Sequence, residues 1–97
     1  MPTYILLVRW TTQGLQKIKD SPSRLDAGRK AFEAAGIKLS AFYMAMGQYD
    51  QVSIAEAPDD ATMAKALLRL ASQGNLQTET LRAFTEDEYR KIISELG

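Results

Sequence analysis

Apolar positions along this chain switch between two spacings, and the switches mark off its elements. Tyr4-Ile5-Leu6-Leu7-Val8-Arg9-Trp10 is rich in β-formers and apolar at consecutive positions. A strand of that kind is covered on both faces, so it belongs at the centre of a sheet. Thr11 to Gly14 reads as a loop, and Leu15 to Lys19 as a helical turn or two. Ser21-Pro22 predicts an N-cap followed by proline at the first helical position, where its missing N–H costs little. Leu25, Gly28, Phe32 and Ala35 then share one helical stripe, with Arg24, Arg29, Lys30 and Glu33 largely elsewhere, and Gly36 closes the helix.

From Ile37 onward the spacing falls to two. Ile37 to Met46 predicts a second strand, with Phe42, Met44 and Met46 on one face and Leu39, Ala41, Tyr43 and Ala45 on the other. Gly47-Gln48-Tyr49-Asp50 is a turn, and Gln51 to Ala57 returns with Val52 and Ile54 alternating against Ser53 and Ala55. Pro58 stops that strand. Asp59 or Asp60 caps a helix to about Gln73, with Met63, Leu67, Leu70 and Ala71 inward, and Gly74-Asn75 ends it. A fourth strand spans Asn75 to Phe84. Thr85-Glu86-Asp87-Glu88 then forms a capping box ahead of a last helix whose buried stripe is Tyr89, Ile92, Ile93 and Leu96.

Strand, helix, strand, strand, helix, strand, helix is the order of a ferredoxin-like α+β fold. The expectation is one domain over residues 1–97: a four-stranded antiparallel sheet in the order 4-1-3-2, followed by the C-terminal helix. Two helices cover one face. The other would expose roughly half of Tyr4–Trp10, Phe42–Met46 and Val52–Ala55. Buried apolar side chains contribute about 1.5–3 kcal/mol each, so a bare face of this kind calls for a cover. A second copy packed sheet to sheet supplies one, making a homodimeric α/β barrel.

Charge narrows the partners. Twelve basic and twelve acidic residues give a net charge of zero, which argues against nucleic acid. The chain has neither cysteine nor histidine, so thiolate nucleophiles, thiolate metal sites and the commonest general base are excluded. No acidic run of the calcium-loop type is present, and no metal or cofactor is expected. The apolar run Tyr4–Val8 is too short to span a membrane, so a cytoplasmic protein without membrane contact is expected.

Three stretches carry a resemblance. They are Gly47-Gln48-Tyr49-Asp50, then Val52-Ser53-Ile54-Ala55-Glu56-Ala57-Pro58-Asp59, then Gly74 through Thr85 (GNLQTETLRAFT). On these the chain resembles the GYD-domain family, named for the Gly, Tyr and Asp grouped in the turn. The resemblance implies a dimeric α/β barrel, and with it relatives as different as cofactor-free monooxygenases, small isomerases and ligand-sensing domains. Fold alone does not choose among these.

Antiparallel pairing brings the end of the first strand, Arg9-Trp10, beside Tyr49-Asp50 and Gln77 to Glu79, with Tyr43 able to join. An indole, phenols, carboxylates and a guanidinium at one end of a sheet make a candidate pocket. Its expected ligand is a small hydrophobic or acidic molecule, held between sheet and helices or at the dimer seam. Arg9, Trp10, Tyr43, Tyr49 and Arg82 are the candidate binding residues, and Asp50 is the candidate base of an oxygenase or isomerase that needs no cofactor. Each has a structural role to weigh against this. Asp50 can hold turn amides, Tyr49 can pack, and Glu79 and Arg82 can enter ordinary ion pairs. A subunit with a purely structural role in an assembly is the third possibility.

Overall fold

Tyr4, Leu6 and Val8 all leave the first strand on one side, and that side is closed by helices. The computed structural model describes residues 1–97. In chain order the elements are β1 (Thr3–Trp10), α1 (Thr12–Gln16), a 3-10 turn (Ile18–Asp20), α2 (Ser21–Ala34), β2 (Lys38–Met44), β3 (Gln51–Glu56), α3 (Asp60–Ser72), β4 (Leu76–Ala83) and α4 (Glu86–Ser94). The sheet is antiparallel throughout, in the order β2-β3-β1-β4, which is the expected order read from the other edge. Tyr4, Leu6, Val8 and Ala55 pack beneath Phe32, Ile37, Met63 and Ala66 as the core.

Several boundaries differ from the sequence reading. The chain enters α2 straight from the 3-10 turn, with Asp20 already near helical dihedrals, so Ser21 is the first helical residue rather than the N-cap. Thr12 and Gln13 are helical too, because the Thr11 side chain accepts the Gly14 N–H and starts α1 earlier. β2 ends at Met44 and slips register between Leu39 and Ala41. That bulge puts Leu39 opposite Ala55 and Phe42 opposite Ser53, on the covered side, while Ala41 and Tyr43 face Ile54 and Val52 on the open side. Leu39 therefore shares a face with Phe42, contrary to strict alternation. Asp59 does cap α3, accepting the Thr62 N–H at 2.8 Å, and the capping box of α4 is complete.

The stripe of α4 is the clearest departure. Tyr89, Ile92, Ile93 and Leu96 are exposed, not buried. Amphipathic spacing reports that a helix has an apolar side, not that its own chain covers it. Here the helix follows an edge strand, and no element packs broadly against it.

Two local contacts tie the layers together. The Tyr4 hydroxyl, buried under α3, donates to Asp60 Oδ1, and Arg82 Nε lies 3.8 Å from the same carboxylate. The Arg82 guanidinium also covers the Tyr4 ring at 5.7 Å and the Phe84 ring at 4.8 Å. At the other end, Thr11 Oγ1 donates to the Gly74 carbonyl at 2.6 Å and the Thr11 N–H to the Asn75 carbonyl at 3.1 Å. A Cβ added to Gly14 would lie 2.3 Å from that Asn75 oxygen, so α1 sits there only because residue 14 has no side chain.

Substitutions at two glycines and one tyrosine test these contacts. Gly14→Ala should destabilise the protein by about 1–3 kcal/mol, since backbone must move. Gly28→Ala, whose new methyl meets only Leu70 Cδ1 at 4.0 Å, should stabilise it by about 0.5–1 kcal/mol. Urea unfolding of the two variants checks the opposite signs. Burial first, then the Asp60 hydrogen bond, pushes the Tyr4 phenol up to about 12. Its folded pKa is thus above the unfolded value, so its stabilising contribution is complete below about pH 10 and drains away as pH rises toward 12. Phenolate absorbance should show a tyrosine titrating near pH 12 that Tyr4→Phe removes, and that variant should lose stability less steeply in this range.

Candidate functional site

Register decides which of the expected residues meet. Arg9 pairs with Gln77 and Leu7 with Glu79, which puts Arg9 and Glu79 on the open face of the sheet. Tyr49, in the turn before β3, reaches the same place. Its hydroxyl donates to Glu79 Oε2 at 2.9 Å, and its ring lies 4.7 Å below the Arg9 guanidinium. Arg9 Nε donates to the Gln48 carbonyl at 2.8 Å, and its Nη1 is 3.7 Å from Glu79 Oε1. These groups border a shallow depression of about 260 Å³ with Leu7, Gln77 and Thr78. The Glu79 hydrogen bond, ahead of desolvation, raises the Tyr49 pKa, so the phenol is held as a donor.

The remaining candidates lie elsewhere. Asp50 Oδ2 accepts the Trp10 backbone N–H at 3.0 Å, while the Asp50 N–H donates to Val8 and its carbonyl accepts from Ala45, both at 2.8 Å. Asp50 thereby fastens the turn to β1. Trp10 follows Val8 onto the covered face, opposite Leu76, and its buried indole N–H has no acceptor in the chain. Tyr43 is on the open face but out on the edge strand β2, 63% exposed. Arg82 belongs to the Tyr4–Asp60 contact near the far end of β4, on the covered side. The expected constellation is therefore split, with Arg9, Tyr49 and Glu79 on one face and Trp10 and Arg82 on the other. No three Asp, Glu, His or Cys side chains come together as a metal-binding group.

A second, more enclosed opening lies on the covered side, between α2, α3 and the sheet. It measures about 210 Å³. Leu25, Phe32, Leu39, Phe42, Leu70 and Leu76 give it apolar walls. Its floor is β3, where Gln51 and Ser53 are more than nine-tenths buried yet make no side-chain hydrogen bond. Arg24, Arg29 and Arg69 also border it, and no carboxylate does. Sequence reasoning did not single out Gln51, Ser53, Arg29 or Arg69 as site residues. The signal was present in the return strand, whose small and polar residues alternate toward the helices and leave space there that leucines would have filled.

Known proteins bear on this geometry. A protein of Thermus thermophilus called glutamine synthetase and cystathionine beta-lyase binding protein is 39% identical over 84 residues, 86% of this chain and 88% of the relative. The crystal structure of TTHA0845, also from Thermus thermophilus, matches with a TM-score of 0.57 at 23% identity, covering 88% of this chain and 95% of that one. A feast or famine regulatory protein from M. tuberculosis, complexed with L-methionine, matches with a TM-score of 0.63 at 16% identity. It shares 90% of this chain, which spans only 54% of that protein's length, and it supports the fold alone. The model of the GYD domain matches residues 4–93, and the chain belongs to that family.

Proposed function

We propose that this chain is a non-catalytic binding protein that holds a small molecule beneath its helices and works as a homodimer. The observation that carries the reading is the cleft over β3, an apolar space floored by two largely buried side chains, Gln51 and Ser53, whose polar atoms make no hydrogen bond within the chain and remain accessible. A ligand with donors and acceptors can hydrogen-bond to them while its apolar part fills the walls. The groups best suited to catalysis are committed to internal bonds: Asp50 to the Trp10 amide, and Glu79 to Tyr49 and Arg9.

The open face supports the dimer. Ile5, Leu7, Val52 and Ile54 stand there half-buried, flanked by the exposed Tyr43 and Leu81. No helix of this chain lies over them, and a like face of a second copy matches them in shape and polarity. Pairing of this kind also roofs the Arg9–Tyr49–Glu79 depression.

A second reading concerns the partner. The Thermus relative is named for binding two enzymes, so docking on an enzyme of amino-acid metabolism is proposed here too. The exposed apolar stripe of α4 is available for such a contact.

The full chain should sediment as a dimer at micromolar concentration, and Leu7→Lys combined with Ile54→Lys should yield a folded monomer. A wild-type monomer sinks the dimer. Native mass spectrometry of the protein from cells should find a bound small molecule, and Ser53→Leu should remove it. Asp50→Asn should leave its occupancy unchanged. Turnover of any recovered molecule, lost in Asp50→Asn, would make the protein an enzyme instead. Co-elution with purified glutamine synthetase or cystathionine beta-lyase checks the second reading, and migration as separate species counts against it.

A further inference from the structure

We infer that the ligand of the α2–α3 cleft is a small organic acid: an apolar body of short-chain or single-ring size, one carboxylate, and no net positive charge. The inference rests on the cleft being a binding site and adds the chemistry of what it takes.

Charge around the cleft is one-sided. Although the whole chain is neutral, the lining includes Arg24, Arg29 and Arg69 and not one Asp or Glu. Arg24 is occupied, its guanidinium donating to the carbonyls of Lys17 at 3.0 Å and Gly14 at 3.2 Å. Arg29 and Arg69 are not. The three ion pairs of the chain use Arg9, Arg82 and Arg90, and neither Arg29 nor Arg69 donates a side-chain hydrogen bond. They come from different helices, α2 and α3, that border one opening. Two free guanidiniums beside a low-dielectric space favour an anion, and their planar forks suit a carboxylate.

Depth supplies the second requirement. Below the arginines the walls are leucine and phenylalanine, so the body of the ligand is apolar. At the floor, the Gln51 amide and Ser53 hydroxyl both donate and accept, so a polar atom on the ligand is tolerated and rewarded there. A free inorganic anion satisfies the arginines but leaves the walls unfilled. A neutral hydrocarbon fills the walls but leaves Gln51 and Ser53 unpaired. Only a molecule with both parts meets all three zones.

The experiment compares acids with their amides on the full-length protein. A panel of straight, branched and aromatic carboxylates, among them 4-methylpentanoate and 3-phenylpropionate, is titrated by calorimetry beside the matching primary amides. Several acids should bind, and each amide should bind roughly tenfold more weakly or worse, as expected when charge-assisted hydrogen bonds are lost. Arg29→Met combined with Arg69→Met lies on exposed helix positions and should fold; it should bring acid and amide within about threefold of each other. Gln51→Met should weaken both. Equal binding of acid and amide, unchanged by the arginine substitutions, overturns the acid class while leaving a ligand site in place. Acids that bind with Arg29 and Arg69 irrelevant and Gln51→Met silent place the anion elsewhere and overturn the inference. No binding by any panel member, with inorganic phosphate also silent, removes both the acid class and the cleft as a site.

Discussion

The structure depends on which way the side chains of β3 point. Gln51, Ser53 and Ala55 face the helices, while Val52 and Ile54 face outward. Most two-layer domains put their larger apolar residues under the helices and leave the other face polar. β3, an inner strand of this sheet, does the reverse. The small residues beneath α2 and α3 leave unfilled space, and the large ones on the other side leave an apolar surface. One alternation thus produces both the cleft and the open face, and neither is a defect of the other.

The two ends of the sheet repeat one chemical theme in different surroundings. Tyr4, Asp60 and Arg82 form a phenol, carboxylate and guanidinium cluster on the covered side. Tyr49, Glu79 and Arg9 form another on the open side. The first has its phenol buried and fastens α3 to β1 and β4. The second is partly wet, and its ion pair contributes little to stability in that setting. Geometry alone therefore does not separate a structural cluster from a binding one; burial does.

Much of this architecture was legible in the residues. The consecutive apolar run of β1, the Asp59 cap and the Thr85–Glu88 capping box each rest on local chemistry, and local chemistry survives in the folded chain. What escaped was less local. The bulge beside Ser40 reversed the side on which Leu39 lies, because one extra residue flips everything before it. The stripe of α4 signalled an apolar side but not its cover. Adjacent in sequence, Arg9 and Trp10 looked like site partners, yet strand alternation sends them to opposite faces. Gln51 and Ser53 looked like ordinary polar positions until the helices above them left a gap.

The rims of the sheet carry a consequence of their own. β2 is interrupted by its bulge and begins at Lys38, while β4 presents Glu79 and Arg82 along its length. Ladders do not extend readily from kinked or charged margins, which is how β-proteins avoid growing into fibrils. A chain so fenced at both sides has a broad apolar flank but no sticky border, and neither rim offers a template for open-ended ribbons.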